Sequence, residues 1–167
     1  VTITDPDSSQ VSVSSVSPTN TTAEASSTLG VLKFDLTQPA DDSVVVTFAI
    51  PIVASGPGLT ASDFSLALPG SAPVGSSVVL DASSTTTSRV YKLTIPAGTT
   101  TLNVEVTASE DAVPELVEGD ETVTATISAI AEIGNDATYG LTFSATAASV
   151  TITDPDSSQV SVSSVSP

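Results

Sequence analysis

The chain has 167 residues and a formal net charge of −16, with nineteen Asp and Glu side chains against three Lys and Arg. This length is typical of one domain with its own core. The charge argues against binding to nucleic acid or to an anionic membrane surface, because both require clustered basic side chains. No apolar run approaches the roughly 18–20 residues that span a bilayer, so we expect no membrane insertion by these residues.

The side-chain inventory also narrows the chemistry. Cys and His are both absent, so the chain lacks a thiol nucleophile, the commonest general base and the commonest zinc ligand. Ser is plentiful, but no His or suitably placed Lys is available to activate it. We therefore expect a protein that is not an enzyme and whose natural partners are hard cations.

Most of the chain alternates apolar with polar residues, which is typical of strands that bury one face. Val11-Ser12-Val13 begins the series, and Pro51 is expected to end a more continuously apolar strand. A turn at 96–98 is predicted to join two strands as a hairpin. The strands predicted after the first are 31–37, 44–50, 77–80, 90–95, 102–107, 121–128, 140–145 and 149–153. The pattern predicts an all-β fold, an antiparallel immunoglobulin-like β-sandwich of about seven to nine strands.

Residues 51–88 interrupt this pattern. The segment is rich in Gly and Pro and contains a Ser/Thr run at 83–88. We interpret it as a long insertion with one strand, at 77–80. Such an insertion is either surface decoration or a binding surface for a glycan or a protein.

Six of the acidic residues fall within twelve positions, between one predicted strand and the next: Glu110, Asp111, Glu115, Glu118, Asp120 and Glu121. Two carboxylates about 5 Å apart at an effective dielectric of about 20 repel each other by roughly 3 kcal/mol, so such a cluster requires a cation or wide solvation. Calcium suits it best because it accepts six to eight oxygen ligands in flexible geometry. The alternative is a solvated acidic end that keeps the protein soluble.

Two motifs support the calcium interpretation. Residues 118–123 read EGDETV before an alternating strand, and residues 148–156 read ASVTITDPD at the close of the predicted domain. Shorter matches are AE at 23–24, ASDF at 61–64 and IPAGTT at 95–100. Together they resemble the Calx-β domains of sodium/calcium exchangers and of large bacterial surface proteins, over most of residues 20–156. The resemblance implies a Calx-β-like sandwich.

Calcium-binding Calx-β domains take carboxylates from an early Glu, an Asp before an aromatic residue, the acidic loop and a terminal Asp cluster. The loop here is longer than the family's by three residues, so Glu115 is an alternative to Glu118, and the terminal cluster is Asp-Pro-Asp rather than three consecutive Asp. The candidate ligands implied by this resemblance and by the acidic cluster are Glu24, Asp63, Glu110, Asp111, Glu115, Glu118, Glu121, Asp154 and Asp156.

An eighteen-residue segment, VTITDPDSSQVSVSSVSP, begins at residue 1 and again, without a single change, at residue 150. A period of 149 residues is too long for a solenoid and matches an independently folding domain. We expect residues 1–7 to be the tail of a preceding repeat, 8–156 to form one domain, and 157–167 to be a linker and the first strand of the next repeat.

These observations predict a structural role. We expect an extender repeat of a giant tandem-repeat adhesin, extracellular or on a bacterial cell surface, whose partners are identical neighbouring repeats and calcium ions. Calcium at the domain end would stiffen the joint, and the isolated domain is expected to be monomeric. The alternatives are a glycan- or protein-binding module that uses residues 51–88, and a calcium sensor of the exchanger type.

Overall fold

The computed structural model describes residues 8–16, 20–24, 27–53, 58–109, 119–134 and 140–154. Within these residues the chain is all-β, without a helix. The strands are β1 (Gln10–Ser15), β2 (Thr21–Ala23), β3 (Gly30–Leu36), β4 (Ser43–Pro51), β5 (Phe64–Ala67), β6 (Ser77–Leu80), β7 (Ser88–Ile95), β8 (Thr101–Ala108), β9 (Glu121–Ile133), β10 (Thr142–Phe143) and β11 (Ala148–Thr153).

The strands form two sheets. The first has the order β10-β1-β3-β8-β5 and the second the order β2-β11-β9-β4-β7-β6. Most neighbours are antiparallel, but β1 runs parallel to β10 and β2 runs parallel to β11. The N-terminal part of the chain therefore adds one short strand to each sheet.

The core lies between the sheets and follows directly from the alternation in the sequence. In β3 and β4 every second residue is buried, so Leu32 and Phe34 of one sheet face Val46 and Phe48 of the other. The rings of Phe34 and Phe48 are 5.0 Å apart between centroids and tilted by 47°, an arrangement that aromatic pairs favour. Val, Leu, Ile and Ala fill most of the remaining core.

The predicted all-β sandwich is confirmed, with more strands than expected. The short strands β2 and β5 were not predicted, whereas the equally short β6 was predicted at 77–80. β9 continues to Ile133, past a register shift between Thr47 and Phe48 of its partner β4. The predicted strand 140–145 is reduced to the two residues of β10. Because residues 51–88 supply β5 and β6, this segment is part of both sheets rather than an insertion outside them.

The predicted hairpin between 90–95 and 102–107 is wrong. β7 pairs with β4 in the second sheet, whereas β8 pairs with β3 in the first. The turn, in which Gly98 has a φ of 73°, therefore crosses from one sheet to the other. The Gly98 N–H donates to the carbonyl of Ala40 at 2.8 Å, which fixes the crossing against a neighbouring loop. Alternation in the sequence shows which face of a strand is buried, but not which other strand it pairs with.

The two ends of the sandwich can be distinguished by strand direction. β1 begins beside Leu36, the last residue of β3, and runs towards the start of β3. β11 runs antiparallel to β9 and finishes beside Glu121, the first residue of β9. Gly30 and Val150 touch across the two sheets, which aligns the start of β3 with the middle of β11. The chain therefore enters the sandwich at one end, here called the entry end, and leaves at the opposite end, the exit end.

Candidate functional site

Four of the nine candidate ligands lie in the described part of the chain, and all four are at the exit end: Glu24, Asp63, Glu121 and Asp154. The other five lie outside the described residues: Glu110, Asp111, Glu115, Glu118 and Asp156. Residue 110 directly follows Ser109, whose N–H donates to the carbonyl of Asp63 at 2.8 Å. Ser109, the last described residue before the acidic segment 110–118, therefore lies at this same end.

Glu121 has an unusual position for a carboxylate. It begins β9 on the inward-facing register shared with Val123, Ala125 and Ile127, and it is 7% exposed. Both of its carboxylate oxygens are shielded from solvent. An ionised carboxylate out of water is costly unless hydrogen bonds or a cation compensate it. Glu121 is therefore the strongest candidate ligand among the described residues. The sequence carries a sign of this burial, because Glu121 falls on the same alternating positions as the apolar residues 123, 125 and 127.

Glu24 and Asp154 extend from neighbouring strands. Thr153 of β11 is in register with Ala23 of β2, and these two strands run parallel. Each acid follows directly on its strand, and the N–H of Glu24 donates to the carbonyl of Thr153 at 3.3 Å. Because adjacent strands lie about 4.8 Å apart, the two residues follow neighbouring strand ends of the second sheet. Ile152 pairs with Glu121, so the buried carboxylate belongs to the next strand at this same end of the sheet.

Asp63 is buried, but its carboxylate already has partners. Oδ2 accepts from the N–H of Thr60, and Oδ1 accepts from the Thr60 hydroxyl at 2.6 Å. The Ser62 hydroxyl donates to Oδ1 at 3.4 Å. These contacts close the turn that precedes β5, a local role that Asp side chains commonly have. The hydroxyls at positions 60 and 62 are what sequence reasoning missed, and they give Asp63 a local role in this turn.

The described residues alone do not complete a calcium site. Among them no group of three or more acidic side chains lies close enough together to hold a metal ion. What the fold does provide is one end of the sandwich that carries Glu24, Glu121 and Asp154, with the carboxylate of Glu121 buried. The oxygen-only donor set fits calcium in kind, since calcium binds carboxylate and carbonyl oxygens.

A groove of about 650 Å³ also opens at the exit end. Its wall includes Arg89 at the start of β7 and hydroxyl side chains from two segments, 60–62 and 84–86. The lining residues are Ile52, Val53, Thr60, Ala61, Ser62, Ser84, Thr85, Thr86 and Arg89. Apart from Arg89 they all belong to residues 51–88, which the sequence singled out as a possible binding surface. No aromatic ring is part of this lining.

The two facing sheets define the chain as a β-sandwich module. Its fold is similar to the crystal structure of the apo-form Calx CBD1 domain, with a TM-score of 0.50 and 13% sequence identity over 87% of this chain and 98% of that chain. A type III cohesin module from the cellulosomal ScaE cell-surface anchoring scaffoldin of Ruminococcus flavefaciens also matches, with a TM-score of 0.40 and 11% identity over 90% of this chain and 89% of that chain.

The first of these similarities supports the Calx-β-like fold that the motifs implied; at this identity it is evidence for the fold alone. No protein-family model matches the sequence, and no curated protein is similar to it. In the part of the chain that the structure describes, no helix is long and apolar enough to cross a membrane.

Proposed function

We propose that this chain is a non-enzymatic structural repeat of a large extracellular or bacterial cell-surface adhesin, and that it acts as an extender between neighbouring repeats. The observation that carries the proposal is the direction of the chain. β1 starts at the entry end and β11 stops at the exit end, so consecutive copies would join end to end. Modules whose termini lie at opposite ends extend a protein with every added copy.

The duplicated eighteen residues fit this role as a joint. Their first part, VTIT, forms the last four residues of the strand β11, at 150–153, and their second part, QVSVSS, is the strand β1 at residues 10–15. Each half thus closes or opens a sandwich, and the DPDSS between them links two sandwiches. The repeat unit is then residues 8–156, with 1–7 belonging to the preceding unit and 157–167 to the next.

We further propose that calcium binds at the exit end and stiffens this joint. Glu121 would supply a desolvated carboxylate, and Asp154 and Glu24 lie on the adjoining strand ends at the point where the chain leaves the domain. Asp156 and the acidic segment, with Glu115 or Glu118 as its main ligand, would complete the oxygen set. The net charge of −16 favours cation binding at such an end. For an extracellular module we expect a dissociation constant for calcium of roughly 10⁻⁴–10⁻³ M.

A calcium titration by calorimetry, together with thermal melting, tests this proposal. We expect millimolar calcium to bind and to raise the melting temperature, and Glu121→Gln to abolish both effects. The matched control is Asp120→Asn, which removes one charge from the exposed neighbouring position. Equal losses in both variants would indicate general charge screening rather than a site. Absence of binding to the unaltered chain would refute the calcium site but leave the extender role standing.

The groove at Arg89 supports a second candidate, a binding module. Its lining by residues 52–53, 60–62 and 84–86 matches the segment that the sequence set apart. The absence of an aromatic ring from the lining favours a protein ligand over a neutral sugar, because sugar sites rely on aromatic side chains. Nuclear magnetic resonance titrations with acidic peptides and with oligosaccharides would test it, with Arg89→Ala as the variant that should lose the response.

A further inference from the structure

β1 occupies a defined slot in the first sheet. It lies between β3 and β10, and it buries Val11 and Val13 completely or nearly so. The carbonyl of Gln10 accepts from the N–H of Thr37 at 3.1 Å. Just before the strand, the Ser9 hydroxyl donates to the carbonyl of Gln38 at 2.8 Å. A strand in this slot therefore contributes two core side chains and closes the space between two neighbours.

The sequence contains this strand twice. Residues 158–164 repeat residues 9–15 without a change, so Val160 and Val162 correspond to Val11 and Val13. A strand formed by the second copy in the same slot would bury the same side chains and make the same hydrogen bonds. The slot therefore cannot distinguish the two copies by their contacts.

The second copy cannot reach the slot of its own molecule. The slot begins where Gln10 lies beside Thr37, at the entry end, whereas β11 ends at Thr153, at the exit end. With Gly30 level with Val150, these points are about ten strand residues apart, or about 33 Å at about 3.3 Å per residue. The six peptide links from residue 153 to residue 159 extend at most about 21 Å.

We infer that the β1 slot is an interaction site for a second copy of this chain, filled by exchange with residues 159–164 of the other molecule. The donor leaves from an exit end and enters at an entry end, so the contact is heterologous. Such contacts run head to tail and give rings where the rotation closes or open chains where it does not. The inference depends on the duplicated strand and on chain direction, and it holds whether or not the exit end binds calcium.

The molecule's own β1 competes better for the slot than the strand of a second molecule, because it is covalently attached to the same domain. An attached strand competes at an effective concentration in the millimolar range for a short linker. The chain is therefore a monomer in dilute solution, and exchange increases with protein concentration or when its own β1 is weakened. Main-chain pairing of an added strand, with alternate side chains in pockets, is a known way of joining proteins.

The first test weakens one copy at a time in the full chain. Val11→Asp with Val13→Asp disables β1 but leaves the donor intact. We expect this variant to form head-to-tail oligomers whose sedimentation coefficient rises with concentration. Adding Val160→Asp and Val162→Asp removes the donor, and we expect this fourfold variant to be monomeric and to melt at a lower temperature. If both variants are monomeric with equal melting curves, the inference is wrong.

The second test traps exchange in a chain whose own β1 is unaltered. Ser14 is in register with Lys33, and residue 163 is its copy. Opposed residues of antiparallel strands lie within the Cα separation that a disulfide requires. Because the chain has no Cys, Lys33→Cys with Ser163→Cys can form a disulfide only between introduced thiols. We expect a ladder of covalent oligomers on oxidation.

Two controls interpret this ladder. Lys33→Cys with Ser14→Cys should give an internal disulfide in a monomer, which confirms that the register supports the bond. Adding Val160→Asp and Val162→Asp to the Lys33→Cys, Ser163→Cys chain should remove the ladder, because the donor can no longer fill the slot. A ladder that persists in that variant would be due to random collision and would overturn the inference, as would the absence of a ladder when the internal control forms its disulfide.

Discussion

Gly30 and Val150 touch across the two sheets: a Cβ placed on Gly30 would overlap Cγ1 of the Val150 side chain. Both residues are buried. The first strand of the core and the closing strand therefore approach at a point where only a hydrogen fits. The contact also aligns the entry and exit ends, since it fixes the position of β11 along β3.

The first prediction concerns this contact. Gly30→Ala should destabilise the fold by about 1–3 kcal/mol, the usual cost of overpacking a core. Gly30 is not in the left-handed region of backbone space, so the cost is one of space rather than of backbone conformation. Chemical denaturation of the variant and of the unaltered chain measures it.

The control for this prediction is a double-mutant cycle. Val150→Ala removes the side chain that the added methyl group would meet. Gly30→Ala should therefore cost much less in the Val150→Ala background than alone, because contacting residues show non-additive effects. Additive losses would mean that Gly30 is constrained by something other than Val150.

The second prediction tests whether Asp63 has a structural role or binds a metal ion. Because it accepts hydrogen bonds from Thr60 and Ser62, Asp63→Ala should lower the free energy of unfolding by about 1–3 kcal/mol, the cost of leaving buried donors unsatisfied. The loss should be equal with calcium and with chelator. Thermal melting under both conditions checks this. A loss seen only with calcium would make Asp63 a ligand after all.

The third prediction follows from the ion pair between Lys92 of β7 and Asp81. Nζ of Lys92 lies 2.5 Å from Oδ2 of Asp81, and the Ser83 hydroxyl donates to Oδ1 at 2.6 Å. The Lys92 contact, followed by the Ser83 hydrogen bonds, holds the pKa of Asp81 well below its ordinary value. A lowered folded-state pKa contributes stability above the unfolded-state pKa of about 3.9, and this stability is lost as pH falls towards the folded-state pKa.

The measurement compares unaltered chain with Asp81→Asn across pH. We expect Asp81→Asn to be less stable at pH 7 and the difference to shrink steadily below about pH 4, where the unfolded-state carboxyl is protonated. The Lys92 side chain is about half exposed, so high salt should also reduce the difference. A difference that is constant from pH 7 to pH 2 would show that the charge of Asp81 is not its cause.

Much of the fold could be predicted because burial in a sandwich imposes a period of two. β3, β4 and β8 match the predicted strands to within one or two residues, since their inward faces are uniformly apolar. The pairing of β7 and β8 could not be predicted, because a five-residue connection suits both a hairpin and a crossing between sheets. The short strands β2 and β5 depend on hydrogen bonds to long neighbours, β11 and β8, and carry no period of their own.

The candidate site was predictable in location but not in detail. Acidic residues far apart in sequence reach one end because strand direction alternates, and Glu24, Asp63, Glu121 and Asp154 are the described examples. Which of them is available to a cation depends on side-chain partners. Hydroxyls one and three positions before Asp63 donate to its carboxylate, and no spacing rule for metal ligands accounts for that.

The last prediction joins the chain direction to the exit-end acids. In a protein made of two consecutive units, small-angle scattering should report an elongated particle, because each unit is entered and left at opposite ends. If calcium bridges the exit end to the joint, millimolar calcium should narrow the distribution of dimensions towards the longest, while chelator should broaden it. Glu121→Gln in the first unit should behave as the chelated protein does at every calcium concentration, whereas Glu121→Gln in the second unit alone should leave the response intact, since only the first exit end faces the joint. Equal effects of the two substitutions would place the calcium response outside the joint.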